Sequence, residues 1–247
     1  MKRILFAGAL ALAAASPALA ADLPQPMAPP PQAPATYVPT TAPVYNWGGI
    51  YVGINGGYAF GGSKWTPATG SGTGSFNVNG GLVGGTLGAN FQSGQFVFGV
   101  EGDVDWTDIR GSLSSTTVTG ICAAASCTYQ TSNDWLGTVR GRVGYAFDRV
   151  LLYATGGGAF GNVKATLTTT APTFTGSTDS TEFGWTAGAG VEFALTDNVT
   201  AKVEYLFVDL SNGSCSITVC TAATAAVPVS FSANLVRAGI NFKFNPY

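Results

Sequence analysis

Three acidic residues alternate along one segment of the chain, as Glu101, Asp103 and Asp105. Neighbouring carboxylates can perform acid–base catalysis or bind a hard cation. Alternatively, cations on adjacent elements neutralise them in a compensated ion-pair core. The sequence has no histidine, the commonest general base and a common metal ligand. Because a hydrolase or acyltransferase usually pairs histidine with serine or an acid, we predict a non-enzyme with no catalytic residue, metal site or cofactor.

The four cysteines form two equal spacings, Cys122-x4-Cys127 and Cys215-x4-Cys220. In an oxidising compartment this pattern favours two local disulfide bonds. Pairing between the two segments is the structural alternative. A zinc site built from all four thiolates is disfavoured outside the cell, and the spacing alone is weak evidence for one.

Charged residues are scarce. They make up 10% of the 247 residues while hydrophobic residues make up 46%, against about 25% charged in an average soluble domain. Either most of the surface therefore faces something other than water, or the chain is unusually insoluble. The 11 basic and 13 acidic residues form no basic cluster, so we predict no nucleic-acid partner. A membrane is the partner that this composition favours.

The N-terminal 46 residues differ in composition from the rest. Residues 1–20 have a basic start, an apolar run of about 12 residues and small residues before Ala20, which predicts a cleaved secretory signal rather than a spanning helix of about 20 residues. Residues 21–46 contain eight prolines and predict an extended, disordered periplasmic tail, a spacer more than a binding segment. Residues 47–247 are predicted to form the folded domain.

Period-two alternation dominates the folded domain. Between Gln95 and Asp108 the even positions are mainly apolar and the odd positions carry the three acids. Similar segments have the length of a tilted strand that crosses a bilayer. The eight segments are 48–60, 78–92, 95–108, 134–147, 150–164, 182–195, 199–210 and 231–244. They predict an all-β fold, an eight-stranded antiparallel up-and-down transmembrane β-barrel.

The connections between these segments alternate in length. Long gaps at 61–77, 109–133, 165–181 and 211–230 alternate with tight turns at Ser93-Gly94, Asp148-Arg149 and Thr196-Asp197-Asn198. Short periplasmic turns and long extracellular loops are typical of outer-membrane barrels. We therefore predict the bacterial outer membrane as the location.

An eight-stranded barrel is just wide enough for side chains to fill it. We predict that Asp103 faces Arg140, that Glu101 faces Arg142 and that Glu192 faces Lys202. Asp134 shares the alternation of Arg140, so we place it on the charged face too. The ten predicted interior charges are Glu101, Asp103, Asp105, Glu192 and Glu204, with Arg140, Arg142, Lys202, Arg237 and Lys243.

Aromatic residues lie near the strand ends, as in the interfacial girdles of membrane barrels. Phe244 ends an apolar alternation that we predict to be the signal for barrel-assembly machinery, followed by the extension Asn245-Pro246-Tyr247. The predicted interface aromatics are Trp106, Trp135 and Trp185 near the long loops, and Phe147, Phe193 and Phe242 near the opposite ends.

Three segments carry a family resemblance. They are NWGGIYVG at 46–53, GWTAGAGVEF at 184–193 and KVEYLFVDL at 202–210; Asp148-Arg149 and the ending RAGINFKF at 237–244 agree with them. The chain resembles the small outer-membrane β-barrels of alphaproteobacteria known as porin-family or outer-membrane immunogenic proteins, related in architecture to the transmembrane half of OmpA. The resemblance implies an abundant surface antigen and passive solute passage.

Together these observations predict a structural outer-membrane protein and surface antigen. We expect at most narrow porin activity through an interior filled by paired charges. The alternative is an adhesin or specific ligand-binding protein that acts through its loops. The expected partners are outer-membrane lipid, lipopolysaccharide and, during insertion, the assembly machinery; a host or surface ligand stays unidentified.

Overall fold

A computed structural model describes residues 45–66, 73–115, 126–170, 173–215 and 227–244, with the side chains of Phe174 and residues 211–215 excepted. The described residues form eight strands: β1 (Gly49–Trp65), β2 (Ser75–Ser93), β3 (Phe96–Ser115), β4 (Cys127–Phe147), β5 (Val150–Thr170), β6 (Thr173–Ala194), β7 (Val199–Cys215) and β8 (Val227–Phe244). No helix among the described residues is long and apolar enough to cross a membrane.

The strands close into a barrel in chain order. Every neighbouring pair is antiparallel, and β1 closes the ring by pairing with β8. The predicted all-β, up-and-down architecture is confirmed. The signal segment and most of the tail, residues 1–44, lie outside the described residues, as do Cys122, Cys220 and the predicted extension after Phe244.

The tight turns at one end of the barrel agree with the sequence prediction to within a residue. The first turn is Gly94-Gln95, one position later than predicted, and Gly94 takes the left-handed backbone conformation with φ 62°. Asp148 takes the same conformation in the second turn, with φ 52°. Left-handed residues suit two-residue hairpins because their twist matches that of the flanking strands.

The strands at the opposite end are longer than predicted. The segment 165–181, interpreted as a long loop, is almost entirely strand, since β5 continues to Thr170 and β6 starts at Thr173. The gaps at 61–77, 109–133 and 211–230 shrink in the same way. Threonine explains the error: its β-branched side chain favours strands, and here it alternates with the buried residues Ala165 and Leu167.

The outer wall carries an apolar band. On β3, exposed apolar residues extend from Phe96 to Trp106, and an exposed ion pair between Asp108 and Arg110 follows. Ten residues of strand tilted by about 40° span about 25 Å, the height of the apolar band of an outer-membrane barrel. The wall is therefore built to face lipid below Trp106 and water above it.

Candidate functional site: the barrel interior

The barrel interior contains all ten predicted charges. Each of the ten residues is at most 5% exposed. Strand alternation points them inward, and the flanking outward residues such as Val100, Val104 and Val203 are exposed. Nine of the ten join one network through ion pairs, with Arg142 and Glu192 linked to the rest through Glu101, and Lys243 lies apart from it.

Arg140 is at the centre of the network. Its two terminal nitrogens lie 2.5 Å from Glu101, 2.7 Å from Asp103 and 2.9 Å from Glu204. Arg237 reaches Asp103 at 2.9 Å, Asp105 at 2.8 Å and Glu204 at 2.8 Å. Two guanidinium groups thus share two carboxylates, Asp103 and Glu204. Such sharing satisfies charges that would cost several kcal/mol each if they were buried alone.

The periplasmic side of the network is held by Arg142 and Lys202. Arg142 contacts Glu192 at 2.8 Å and Glu101 at 3.7 Å, and Lys202 contacts Glu101 at 2.9 Å. The guanidinium of Arg142 also stacks 4.0 Å from the ring centre of Tyr153. The network therefore holds five carboxylates and four cations.

The pairing of β3 with β4 differs from the prediction. Glu101 lies opposite Arg140 and Asp103 opposite Thr138, a shift of two residues. A two-residue shift leaves every side chain on the same face, so alternation cannot detect it. A long connection joins these strands and sets no register. By contrast, Glu192 lies opposite Lys202 as predicted, because a tight turn joins β6 to β7.

The alternation predicted that Asp134 shares the inward face of Arg140, and this prediction is wrong. It is exposed, because the pairing of β4 with β5 is irregular between Ser132 and Leu136. Its Oδ2 accepts a hydrogen bond of 3.3 Å from Asn162 Nδ2 on the outer side. An extra residue in one strand reverses the alternation, which is the effect of a β-bulge.

Neutral hydrogen-bond donors complete the network, and the sequence prediction missed them. Tyr51 donates to Glu101 at 2.7 Å, Thr138 to Asp103 at 2.7 Å and Thr200 to Glu192 at 2.5 Å. Tyr51 could have been predicted from the sequence, because it occupies an inward position of β1 and lies opposite Gly88. A Cβ on that glycine would lie 2.2 Å from the tyrosine ring, so the bare glycine makes room for the ring.

An apolar cluster fills the interior on the extracellular side of the charges. It includes the fully buried residues Trp65, Phe231 and Ile109. Trp65 packs edge-on against Tyr129, with ring centres 5.3 Å apart, and its Nε1 donates to Thr131 at 3.2 Å. On β8 the inward residues change from Arg237 to apolar ones at Leu235 and beyond. This change in the alternation was the signal available in the sequence.

The periplasmic mouth is covered by the segment 45–47, which we name the clasp. Trp47 is 1% exposed, and its Nε1 donates to the carbonyl of Asp148 at 2.9 Å. Tyr45 donates to the carbonyl of Asp197 at 3.2 Å. Lys243 donates to the carbonyl of Asn46 and lies 4.2 Å from the ring centre of Tyr45.

The clasp corrects one boundary of the sequence analysis. Tyr45 and Asn46, assigned to the disordered tail, are held against the barrel. Burial and the nearby carboxylates Glu192 and Asp197 raise the pKa of Tyr45 to about 12. The clasp connects the turn at Asp148, the turn at Asp197 and the last strand through Lys243.

The predicted interface aromatics lie on the outer wall. Five of them are exposed: Trp106, Trp185, Phe147, Phe193 and Phe242. Trp135 is half-buried, and its ring centre lies 6.0 Å from that of Phe160. Trp106 pairs with Trp135 across β3 and β4 at the top of the apolar band. Phe244 is exposed and pairs with Ile50.

Two of the four cysteines, Cys127 and Cys215, lie among the described residues. Cys127 is fully buried and disulfide-bonded. Cys215 ends β7, and its side chain lies outside the description. Cys122 and Cys220 lie outside the described residues, so the predicted local pairing stays a prediction.

The closed barrel, its apolar outer band and its charged interior define a small outer-membrane β-barrel protein. Residues 6–244 match the family of the outer membrane protein beta-barrel domain, and the chain belongs to this family.

Named relatives agree with this assignment. The 31 kDa outer-membrane immunogenic protein of Brucella melitensis is 38% identical over 83% of this chain and 88% of its own length. The 25 kDa outer-membrane immunogenic protein of Brucella abortus is 32% identical over 99% of both chains. A 22 kDa outer membrane protein of Rhizobium leguminosarum is 32% identical over 82% of this chain and 80% of its own length. The protein is located in the bacterial outer membrane.

Proposed function

We propose that this protein is a structural outer-membrane barrel whose lumen is closed, and that it presents its extracellular end as a surface antigen. The surface role follows by analogy with the Brucella relatives, which are named immunogenic proteins. The observation that best supports a closed lumen is the stack of buried side chains inside the barrel. The clasp, the charged network and the apolar cluster follow one another from the periplasmic end to the extracellular end.

The charges of the network support closure because they bind one another. Arg140 and Arg237 are each at most 1% exposed and each contact three carboxylates. A passing ion would have to replace at least one of these contacts, and in a low-dielectric site that exchange is costly. At most, slow passage of small ions accompanies rearrangement of the network.

The same pairing supports a non-enzymatic role. A general base needs a free carboxylate within reach of a substrate, and Glu101, Asp103 and Glu204 are each engaged by two or more cations. We infer that these acids neutralise buried arginines and do no chemistry. The loop-mediated adhesin stays a prediction, since much of the loop sequence lies outside the described residues.

Solute entry into liposomes tests this proposal. The refolded mature protein is compared with an interior variant, Arg140→Ser/Arg237→Ser/Asp103→Ser/Glu204→Ser. The matched control replaces four exposed charges away from the clasp, Arg110→Ser/Asp108→Ser and Lys64→Ser/Asp134→Ser. We expect wild-type and control liposomes to swell in small sugars no faster than protein-free liposomes. Adding Trp47→Ser and Trp65→Ser to the interior variant cuts back the clasp and the apolar cluster as well, and this combined variant should admit the sugars. Rapid swelling with the wild-type protein would overturn the proposal, however the interior variant behaves.

A further inference from the structure

A polar groove lies on the outer face of the barrel just above the apolar band. It has a volume of about 490 Å³ and is formed by the extracellular halves of β3, β4 and β5. Its lining includes Arg110, Ser112, Gln130, Ser132, Lys164 and Thr166. The upper aromatic girdle, with Trp106 and Trp135, lies directly below these residues on the same strands.

The strand register places the groove's two cations at one level. Arg110 pairs with Ser132, and Ser132 pairs with Lys164. Neighbouring strands lie about 4.8 Å apart, so the two cations start about 10 Å apart on either side of the small serine. Long basic side chains at this separation can converge on one anionic group between them. One level higher, Ser112, Gln130 and Thr166 form a row of hydroxyl and amide groups.

The two cations are available to a ligand. Lys164 forms no ion pair within the described ranges, although Asp179 lies opposite it on β6. Arg110 uses its Nε to contact Asp108 at 2.6 Å, and its side chain stays 71% exposed. The row of Ser112, Gln130 and Thr166 likewise has no side-chain hydrogen bond to other described residues.

Asp134 lies at the lower edge of the groove and contributes a negative charge. A simple anion would be repelled by it. A phosphorylated sugar fits better, because its phosphate can bind the two cations while a sugar hydroxyl donates to the carboxylate.

We propose that this groove binds the phosphorylated sugar headgroup of an outer-leaflet glycolipid. The phosphate lies between Arg110 and Lys164, and the sugar hydroxyls bind Asp134 and the row of Ser112, Gln130 and Thr166. The height of the groove selects a lipid over a free sugar phosphate: aromatic girdles sit at the headgroup level, so the acyl chains of the lipid would run down the apolar wall below. This site does not depend on closure of the lumen.

The test measures binding of a bisphosphorylated glucosamine-disaccharide lipid to the refolded mature protein in detergent micelles by native mass spectrometry. We expect Arg110→Gln/Lys164→Gln to weaken binding at least about tenfold, the equivalent of about 1.4 kcal/mol. The matched control Lys64→Gln/Arg149→Gln removes the same charge from exposed sites elsewhere and should bind like the wild type. Ser132→Trp, which fills the groove and keeps both cations, should lose binding as well.

Two further arms identify the chemistry. The dephosphorylated lipid should bind the wild type as weakly as the phosphorylated lipid binds the Arg110/Lys164 variant. Inorganic phosphate at equal concentration should not displace the lipid. Unchanged binding by the Arg110/Lys164 variant, an equal loss in the control, or displacement by phosphate alone would each overturn the proposal. Heat-modifiable gel mobility confirms that each variant is folded.

Discussion

Replacing Arg140 with methionine removes the guanidinium at the centre of the charged network and keeps an unbranched apolar stem. The wild-type guanidinium contacts Glu101, Asp103 and Glu204 at 2.5–2.9 Å, and its side chain is 0% exposed. Removing one partner of a buried ion pair costs about 3–5 kcal/mol because the remaining charge is left uncompensated. Each of the three carboxylates keeps another cation, Lys202 for Glu101 and Arg237 for Asp103 and Glu204. We therefore expect Arg140→Met to lower the free energy of unfolding by about 3 kcal/mol, the low end of that range.

The measurement is urea unfolding of the refolded protein in lipid vesicles, followed by tryptophan fluorescence and gel mobility. Arg110→Met is the matched control, since Arg110 also contacts a carboxylate, Asp108, but both side chains are about 70% exposed. Exposed pairs contribute about 0–1 kcal/mol. Arg140→Lys keeps the charge but loses the two-pronged guanidinium geometry, so it should lie between wild type and Arg140→Met. If Arg140→Met costs no more than Arg110→Met, the argument for a compensated interior is wrong.

Three further predictions use the same unfolding assay. Trp47→Ala should cost about 3 kcal/mol because it removes a buried indole from the clasp, whereas a loss below that of the control Arg110→Met would mean that the clasp is not held. Gly84→Ala should cost about 1–3 kcal/mol, since a Cβ there would lie 2.3 Å from the carbonyl oxygen of Val104. Gly85→Ala should be neutral, because its Cβ would lie 3.8 Å from the carbonyl oxygen of Gly53, an ordinary van der Waals contact; equal effects of the two substitutions would contradict the inward packing. The pKa of Tyr45 is raised from 10.0 to about 12, so its proton is held more tightly in the folded state and the clasp should weaken as pH rises from 10 toward 12. Tyr45→Phe should lose less stability over that interval than the wild type, and parallel pH profiles would refute the assignment.

Alternation of side chains was enough to predict the barrel, the strand count and the inward direction of the charged residues. Period-two patterning indicates which face of the sheet each residue lies on. Eight such segments joined by alternating short and long connections are compatible with few folds. It could not record register across a long connection, so the pairing of Glu101 with Arg140 was missed while that of Glu192 with Lys202 was found. Local irregularities reverse the pattern, and this is why Asp134 was placed on the wrong face.

Residue composition predicted the strand ends and the filling of the lumen less well than side-chain alternation predicted the barrel. Serine- and threonine-rich stretches were interpreted as loops, although Thr166 and Thr168 alternate with the buried Leu167 in β5. The clasp was missed because Tyr45 follows a proline-rich segment directly, and only its contacts with Asp148, Asp197 and Lys243 reveal where the barrel begins. Such contacts join residues that are distant in sequence and leave no local signal.

Planar-bilayer recording of the refolded mature protein tests the closed lumen most directly. The clasp, the network around Arg140 and the apolar cluster around Trp65 all occupy the path that a solute would take. We expect a quiet baseline with, at most, rare and irregular small openings. Stable, reproducible conductance steps in the nanosiemens range would contradict the closed barrel.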